Sequence, residues 1–217
     1  MSLQKMLLLV FLFTCGILNA HAQREYEVTP FFGSRFGGNI DLSQQTNPNV
    51  DYLKIKSSEN YGIIAGVSFW SNFQGEFMWN RQPTSLTVHN PNDNTFSFLS
   101  NLNLDLYEAD ILYQFKDSES KFRPYIVGGL GLAHFGLPQA NGQQILGYTN
   151  RFAFNLGGGV KYYFSKHIGV RTELRWSPSN STQGQSTYCD PIYGCYPTTV
   201  TNRAEQGQAN IGLIFRF

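Results

Sequence analysis

The sequence has 217 residues, with 16 Lys and Arg against 15 Asp and Glu and a formal net charge of +1. This near-neutral balance argues against nucleic acid as a partner, because nucleic-acid-binding domains carry a basic excess. After its first segment the chain has no apolar run near the ~20 residues that a membrane-spanning helix needs. The length fits one domain, and all-β barrels of this size are commonly single-domain.

The N-terminal segment has the organisation of a secretory signal peptide. A positively charged start precedes an apolar run at residues 6–18, which is too short for a spanning helix. Ala20-His21-Ala22 then fits a small-x-small cleavage site. We therefore expect a cleaved signal peptide at 1–22 and one mature domain at 23–217. Lipidation at Cys15 is the alternative, although the Phe and Thr before it fit that processing poorly.

The mature sequence alternates repeatedly between apolar and polar residues with period 2, which is the signal of a β-strand. The alternation is strictest at residues 168–176, where Val170, Thr172, Leu174 and Trp176 alternate with Arg171, Glu173 and Arg175. Eight segments show the pattern, and the connections between them alternate between long and short. The predicted strands are 26–36, 61–70, 74–88, 96–115, 124–135, 151–164, 168–176 and 206–217.

One predicted strand contains an apparent change of phase. Leu102, Leu104 and Leu106 are out of step with the apolar set that Tyr107 and Ala109 begin. A β-bulge near these leucines would account for the change, since a bulge inserts one extra residue into a strand.

The two faces of the predicted strands favour a barrel in a membrane. The apolar face is aromatic near strand ends, as expected of girdles at the two bilayer interfaces, and includes Tyr26, Trp79, Tyr113, Phe115, Tyr162, Phe164, Trp176, Phe215 and Phe217. The other face carries charges, Asn and Gly, and Gly129, Gly131, Gly157 and Gly159 would leave room for long side chains in a narrow lumen. We predict an all-β fold, an eight-stranded antiparallel up-and-down transmembrane β-barrel with both termini on the periplasmic rim. A water-soluble barrel or sandwich is the alternative.

This pattern resembles the eight-stranded outer-membrane barrels, such as the transmembrane domain of outer membrane protein A and its barrel-only relatives. The resemblance covers the whole mature chain and includes the strand with Tyr125, Gly129 and Gly131 and the terminal strand that ends in Phe217. It implies the outer membrane of a Gram-negative-type bacterium. It also implies that the barrel-assembly machinery reads the terminal strand, with Phe217 as the last residue of the signal.

The predicted inward face carries both signs of charge. An eight-stranded barrel is just wide enough for side chains to fill it, and buried charges must be paired. We therefore predict a lumen ion-pair network of Arg35, Glu76, Glu108, Asp110, Lys161, Arg171, Glu173, Arg175 and Arg216. The alternatives are a gate in a narrow ion path and catalysis by Glu108 and Asp110.

The histidines and cysteines give no metal site. His89, His134 and His167 lie near opposite ends of the predicted barrel, whereas metal ligands must converge. Cys189 and Cys195 suit a disulfide that closes a small, Tyr-rich extracellular loop, because an exported chain meets an oxidising compartment. A metal-binding pair is the alternative reading of the two cysteines. We expect no metal and no cofactor.

The sequence therefore favours a structural or surface-interaction role over an enzyme. The expected partners are outer-membrane lipid, the barrel-assembly machinery and an extracellular ligand at the loops. A narrow pore for ions or small solutes is the alternative function. A lipid A deacylase would need a paired His and Ser facing the membrane, and His134 has no Ser one strand position away.

Overall fold

A computed structural model gives the fold of the protein. It describes residues 25–42, 52–90, 95–117, 119–136, 139–140, 143–144, 150–180, 184–190, 194–201 and 203–217. The predicted signal peptide and its cleavage site lie outside these ranges. Within them, no helix is long and apolar enough to cross a membrane.

The described chain consists of β-strands joined by turns. In chain order the strands are β1 (Tyr26–Gly37), β2 (Asn39–Leu42), β3 (Tyr52–Ile55), β4 (Ser58–Trp70), β5 (Phe73–Asn90), β6 (Thr95–Gln114), β7 (Phe122–Phe135), β8 (Gln139–Ala140), β9 (Gln143–Gln144), β10 (Asn150–Tyr163), β11 (Ile168–Asn180), β12 (Gly184–Asp190), β13 (Gly194–Thr201) and β14 (Arg203–Arg216).

Eight of these strands close into a cylinder. They follow one another in the order β1, β4, β5, β6, β7, β10, β11 and β14, each antiparallel to its neighbours, and β14 pairs again with β1. Phe32 lies opposite Ile211 at this closing seam. The predicted fold class, an eight-stranded antiparallel β-barrel, is confirmed, and each predicted strand overlaps most of one barrel strand.

The two rims of the barrel differ. At one rim the strands are joined by short turns, such as the one at residues 71–72, and the chain end lies beside β1, where the Phe217 N–H donates to the Tyr26 carbonyl oxygen at 2.9 Å. At the other rim the long connections contain strands of their own, which the sequence did not predict. There β12, β13, β2, β3 and the end of β5 extend the wall as one sheet. This pairing satisfies backbone groups that a long connection would otherwise leave to solvent.

The apolar face of the strands points outward. On β11, Leu174 is 67% exposed, whereas its neighbours Glu173 and Arg175 are each 3% exposed. Phe32 and Ile211 on the closing strands are exposed in the same way. In a membrane, such an outward apolar band faces lipid and the polar side chains face the lumen.

The predicted bulge near Leu102, Leu104 and Leu106 is wrong. All three leucines are buried inside the barrel, in phase with the inward-facing Glu108. The pairing of β6 with β5 runs without a shift from Leu112 to Ser100, and the irregularity lies beyond Ser100. The apparent change of phase arose because the inward face itself turns from charged to apolar along β6. These leucines belong to an apolar cluster that fills part of the lumen, together with Phe31, Ile55, Ile64, Met78, Leu86, Ala133 and Ala153.

Inward-facing glycines give space to long side chains, as the sequence predicts. A Cβ on Gly129 would lie 2.1 Å from Oδ1 of Asp110, and one on Gly131 would lie 2.8 Å from Cγ of Glu108. A Cβ on Gly159 would lie 2.7 Å from the Tyr125 hydroxyl. Gly157 makes the same kind of room beside Arg175, where a Cβ would lie 3.3 Å from the arginine Cβ.

Gly129→Ala should therefore lower the free energy of unfolding by about 1–3 kcal/mol, the usual cost of overpacking. The added methyl would also lie 2.3 Å from the Ala109 carbonyl oxygen, which the sheet holds in place. Gly128→Ala is the matched control, because its Cβ would meet nothing closer than 3.5 Å. Urea unfolding of the refolded barrel in detergent measures both. Equal stability of the two variants would contradict this packing.

The backbone places the two cysteines opposite each other. Cys189 on β12 pairs directly with Cys195 on β13. Directly opposed residues of antiparallel strands have Cα atoms about 4.5–5.5 Å apart, which lies within the range that a disulfide spans. The disulfide itself stays a prediction.

Candidate functional site in the barrel lumen

Arg175 joins two walls of the barrel across the lumen. From β11, its Nη1 lies 2.7 Å from Oε2 of Glu108 and 2.5 Å from Oδ2 of Asp110, both on β6. Its Nε lies 2.9 Å from Oε1 of Glu173 on its own strand. The side chains of Arg175, Glu108 and Asp110 are all 0% exposed. Because β7 and β10 lie between β6 and β11 in the wall, these bonds cross the interior.

Arg171 forms the second crossing. Its Nη1 and Nη2 lie 2.6 and 2.9 Å from the two carboxylate oxygens of Glu76 on β5, which is a bidentate pair. Its Nη2 also lies 2.5 Å from Glu173, and its Nε donates to the Tyr125 hydroxyl at 2.8 Å. Glu173 therefore links Arg171 to Arg175. Charge-assisted and bidentate pairs of this kind are the strong ones and fix geometry as well.

Lys161 forms the third crossing, closer to the short-turn rim. Its Nζ lies 2.7 Å from Oε2 of Glu27, 2.5 Å from Oε1 of Gln74 and 3.5 Å from Oε1 of Glu76. The Tyr163 hydroxyl also donates a hydrogen bond to Glu27. Through Glu76, Lys161 is connected to Arg171, so the three cations share one continuous set of carboxylates.

The structure brings seven of the nine predicted charges into this network: Glu76, Glu108, Asp110, Lys161, Arg171, Glu173 and Arg175. Arg35 is also buried in the lumen, but its Nε and Nη1 have no hydrogen-bond partner among the described residues. Arg216 forms no ion pair with these carboxylates among the described residues. It ends β14 at the short-turn rim, where its Nη1 is 3.3 Å from Glu25 and its Nε donates to the Lys166 carbonyl oxygen. Its Cζ lies 4.7 Å from the centroid of the Tyr163 ring.

Four further residues belong to the network and were missed as site residues: Glu27, Gln74, Tyr125 and Tyr163. Glu27 lies between the outward-pointing Tyr26 and Val28, so the alternation alone places it inside. Tyr125 lies four residues before Gly129 and therefore in the same inward phase. The centroid of its ring lies 4.7 Å from Cζ of Arg171. An aromatic residue on the polar face was the available signal for Tyr125.

An amide cluster lies further from the short-turn rim. Nδ2 of Asn60 donates to Oδ1 of Asn80 at 3.2 Å and to Oδ1 of Asn210 at 3.1 Å. Nδ2 of Asn80 donates to Oε1 of Gln208 at 2.9 Å. These bonds connect β4, β5 and β14 across the interior. The lumen is thus filled by ion pairs, by amides and by the apolar cluster around Leu104.

The histidines lie apart from these charges. Nδ1 of His134 is 2.8 Å from Oδ1 of Asn150, and Nδ1 of His167 is 3.1 Å from the Arg216 carbonyl oxygen, at opposite rims. The side chain of His89 lies outside the described set. In the part of the chain that the structure describes, no three His, Cys, Asp or Glu side chains gather as metal ligands.

Solved structures share this architecture. The crystal structure of Neisserial surface protein A aligns with a TM-score of 0.57 at 14% identity and covers 89% of this chain and 97% of that chain. The outer membrane protein OprG from Pseudomonas aeruginosa aligns with a TM-score of 0.65 at 13% identity and covers 89% and 95%. The outer membrane protein AlkL, solved in DMPC bilayers, aligns with a TM-score of 0.57 at 15% identity and covers 88% and 90%. At such low identity these likenesses show the fold alone.

No curated protein sequence is significantly similar to this chain. The family described as "Outer membrane protein beta-barrel domain" matches residues 7–217. Because this match covers nearly the whole chain, the protein belongs to the outer membrane protein beta-barrel family, and its location is the cell outer membrane.

Proposed function

We propose that this protein is a non-conducting barrel with a structural or surface-interaction role in the outer membrane. The observation that carries the proposal is the crossing by Arg175, whose fully buried guanidinium holds Glu108 and Asp110 on the facing wall. An eight-stranded barrel has an interior just wide enough for its own side chains. An ion on its way through would have to displace these pairs.

The strength of the pairs supports a closed lumen. Removing one partner of a buried ion pair costs about 3–5 kcal/mol, because the other charge stays buried without compensation. Arg171 and Lys161 add two more crossings that share Glu76. A solute would have to break several such contacts in succession. The narrow pore is therefore the less favoured function.

The same contacts support a non-enzymatic role. Glu108 and Asp110 are the pair of carboxylates that could work as acid and base, and both are occupied by Arg175. A general base must be within reach of the proton it abstracts in a plausible substrate pose. These two carboxylates are buried inside the barrel, where a substrate would first have to displace their partner.

The wall beyond the long-loop rim supports a role at the cell surface. In barrels of this family type the long connections are extracellular, so the sheet of β12, β13, β2 and β3 would stand outside the membrane. Tyr188 and Tyr196 are directly paired there, and Tyr is enriched in binding interfaces. We propose this sheet as the contact surface for an extracellular ligand. The exposed Phe217, at the end of the closing strand, is the proposed contact for the barrel-assembly machinery.

Arg175→Met should destabilise the folded barrel by about 3–5 kcal/mol, because it leaves Glu108, Asp110 and Glu173 buried without their shared cation. Arg81→Met is the matched control. It breaks a single bidentate pair between Arg81 and Asp105, whose side chains are 42% and 9% exposed. It therefore leaves one carboxylate without its cation, where Arg175→Met leaves three, and we expect a smaller loss of stability. Heat-modifiable gel migration and urea unfolding report both variants. If Arg175→Met were as stable as Arg81→Met, the network would not hold the barrel together.

Planar-bilayer recording of the refolded mature protein tests closure itself. Wild type and Glu173→Gln should both be silent, because the substitution keeps the side-chain volume of the plug. A steady unitary current from the wild type, with an amplitude that Glu173→Gln changes, would instead establish the narrow pore. Bilayers without protein serve as the baseline.

A further inference from the structure

The outward surface of the barrel carries an apolar groove across its closing seam. The groove encloses about 670 Å³. Its lining contains small residues on β1, β14 and β10, and on the intervening strand β11 the larger Leu174 lies in the same row. Its outward-facing lining includes the small residues Ser34, Ala209 and Gly158, the larger apolar Phe32, Leu174 and Ile211, and the polar Glu59 and Thr172.

The strand register sets the direction of the groove. Glu59, Ser34 and Ala209 lie directly opposite one another on β4, β1 and β14, and Leu174 and Gly158 continue the row on β11 and β10. Gly158 lies in the middle of its strand, whereas Glu59 is the second residue of β4, at the long-loop end. Because barrel strands are tilted by about 35–45°, this row rises obliquely. The groove therefore leads from the middle of the hydrocarbon band to the extracellular rim.

A second cleft of about 670 Å³ continues from the upper end of the groove and shares Phe32 and Glu59 with it. The lining of this cleft is more polar than that of the groove. It includes Lys56, Ser58, Ser85, Asn101 and Asn103, beside the apolar surfaces of Phe32, Tyr61 and Pro83. Lys56 is exposed, and its backbone is fixed on both sides. The Lys56 N–H donates to the Ser85 carbonyl oxygen at 2.9 Å, and the Thr84 hydroxyl donates to the Lys56 carbonyl oxygen at 2.5 Å.

Together the two clefts become more polar toward the long-loop rim, as a bilayer does toward its headgroups. Phe32 and Tyr61 lie opposite each other at the junction, and aromatic residues concentrate at membrane–water interfaces. Below them the groove is mainly apolar, with the hydroxyls of Ser34 and Thr172 as polar groups in its lining. Above them Lys56 offers a cation for phosphate, and the amides, hydroxyls and Glu59 offer hydrogen bonds to sugar hydroxyls. This change from a mainly apolar groove to a more polar cleft along one narrow path matches a single lipid molecule, whereas contact with a second protein chain would not require it.

We propose that the seam binds one lipid of the outer leaflet, a phosphorylated glycolipid. One acyl chain occupies the groove over Ser34, Ala209 and Gly158, and the phosphorylated sugar headgroup occupies the cleft beside Lys56. The site lies on the outside of the wall and does not depend on whether the lumen conducts.

A third depression on the wall provides a matched control. It encloses about 500 Å³ near the short-turn rim, with outward-facing Ala65, Gly75, Phe77, Ala109 and Ile111. It has the same small and apolar lining as the groove, and no Lys or Arg lines it. Filling it should leave glycolipid binding at the seam unchanged.

The test measures glycolipid retained by the barrel after extraction from outer membranes in mild detergent, by native mass spectrometry. A second arm measures binding of added phosphorylated glycolipid and of its dephosphorylated form. Wild type should retain one lipid. Ala209→Phe, which fills the groove, should lose it, and Ala109→Phe should keep it. Lys56→Gln should bind the phosphorylated form about tenfold more weakly, through loss of a charge-assisted contact, and should bind the dephosphorylated form as wild type does.

Heat-modifiable migration verifies that each variant is folded, and Ala209→Leu replaces Ala209→Phe if the larger side chain prevents folding. Retention by the filled-groove variant equal to that of Ala109→Phe would overturn the proposal. So would an unchanged preference for the phosphorylated form in Lys56→Gln. Binding of a soluble sugar phosphate as tightly as the lipid would also overturn it, because the acyl groove would then contribute nothing.

Discussion

Closure of the sheet at β1 and β14 is the constraint on which the rest of this structure depends. In hydrocarbon there is no water to satisfy backbone N–H and C=O groups, so a sheet can span a membrane only without free edges. The pairing of Phe32 with Ile211 and of Val28 with Phe215 removes the last edge. Once the cylinder is closed, every side chain must face either lipid or a narrow interior, and the sequence alternates accordingly.

The narrow interior explains why its charges form one network. Charges confined to a space that excludes water are tolerable only when they are paired and hydrogen-bonded. Arg171, Arg175 and Lys161 meet this requirement by sharing carboxylates, with Glu173 and Glu76 as the bridges. Glycines complete the arrangement, since Gly129 and Gly131 vacate the space that Asp110 and Glu108 occupy. The network is thus built from side chains of the barrel strands themselves.

The outer surface of the wall is likewise shaped by packing, but there the surrounding medium is lipid. Where small residues such as Ala209 and Gly158 interrupt the apolar band, the wall is hollowed along a row set by the strand register. That hollow leads to a polar cleft with an exposed lysine. A lipid seated there would complete the packing of the wall from outside, as the ion pairs complete it from inside.

The alternation along each strand was enough to predict the fold, because each barrel strand has one face toward lipid, which favours apolar side chains, and one face toward the lumen, which is largely polar. It placed Glu173 and Arg175 inside and Leu174 outside. Alternation gives the face of a residue but not its depth, so Arg216 was assigned to the lumen although it lies at the rim. A prediction from alternation also assumes that the inward face is polar along its whole length. The buried Leu102 and Leu104 were therefore interpreted as evidence for a β-bulge. Partners such as Glu76 and Arg171 are 95 residues apart, and only the register of distant strands brings them together.

The direction of the apolar face is the central claim, and the tryptophans test it without any mutation. The sequence has three. Trp79 and Trp176 lie in the outward phase of their strands, and Trp70 faces outward at the end of β4, after a register shift between Ser68 and Trp70. Trp70 is 67% and Trp176 39% exposed. In vesicles of lipids brominated along their acyl chains, the refolded barrel should show strong quenching of tryptophan fluorescence. Fluorescence that brominated lipid leaves unchanged would contradict the account, because the aromatic face would then be turned away from the membrane.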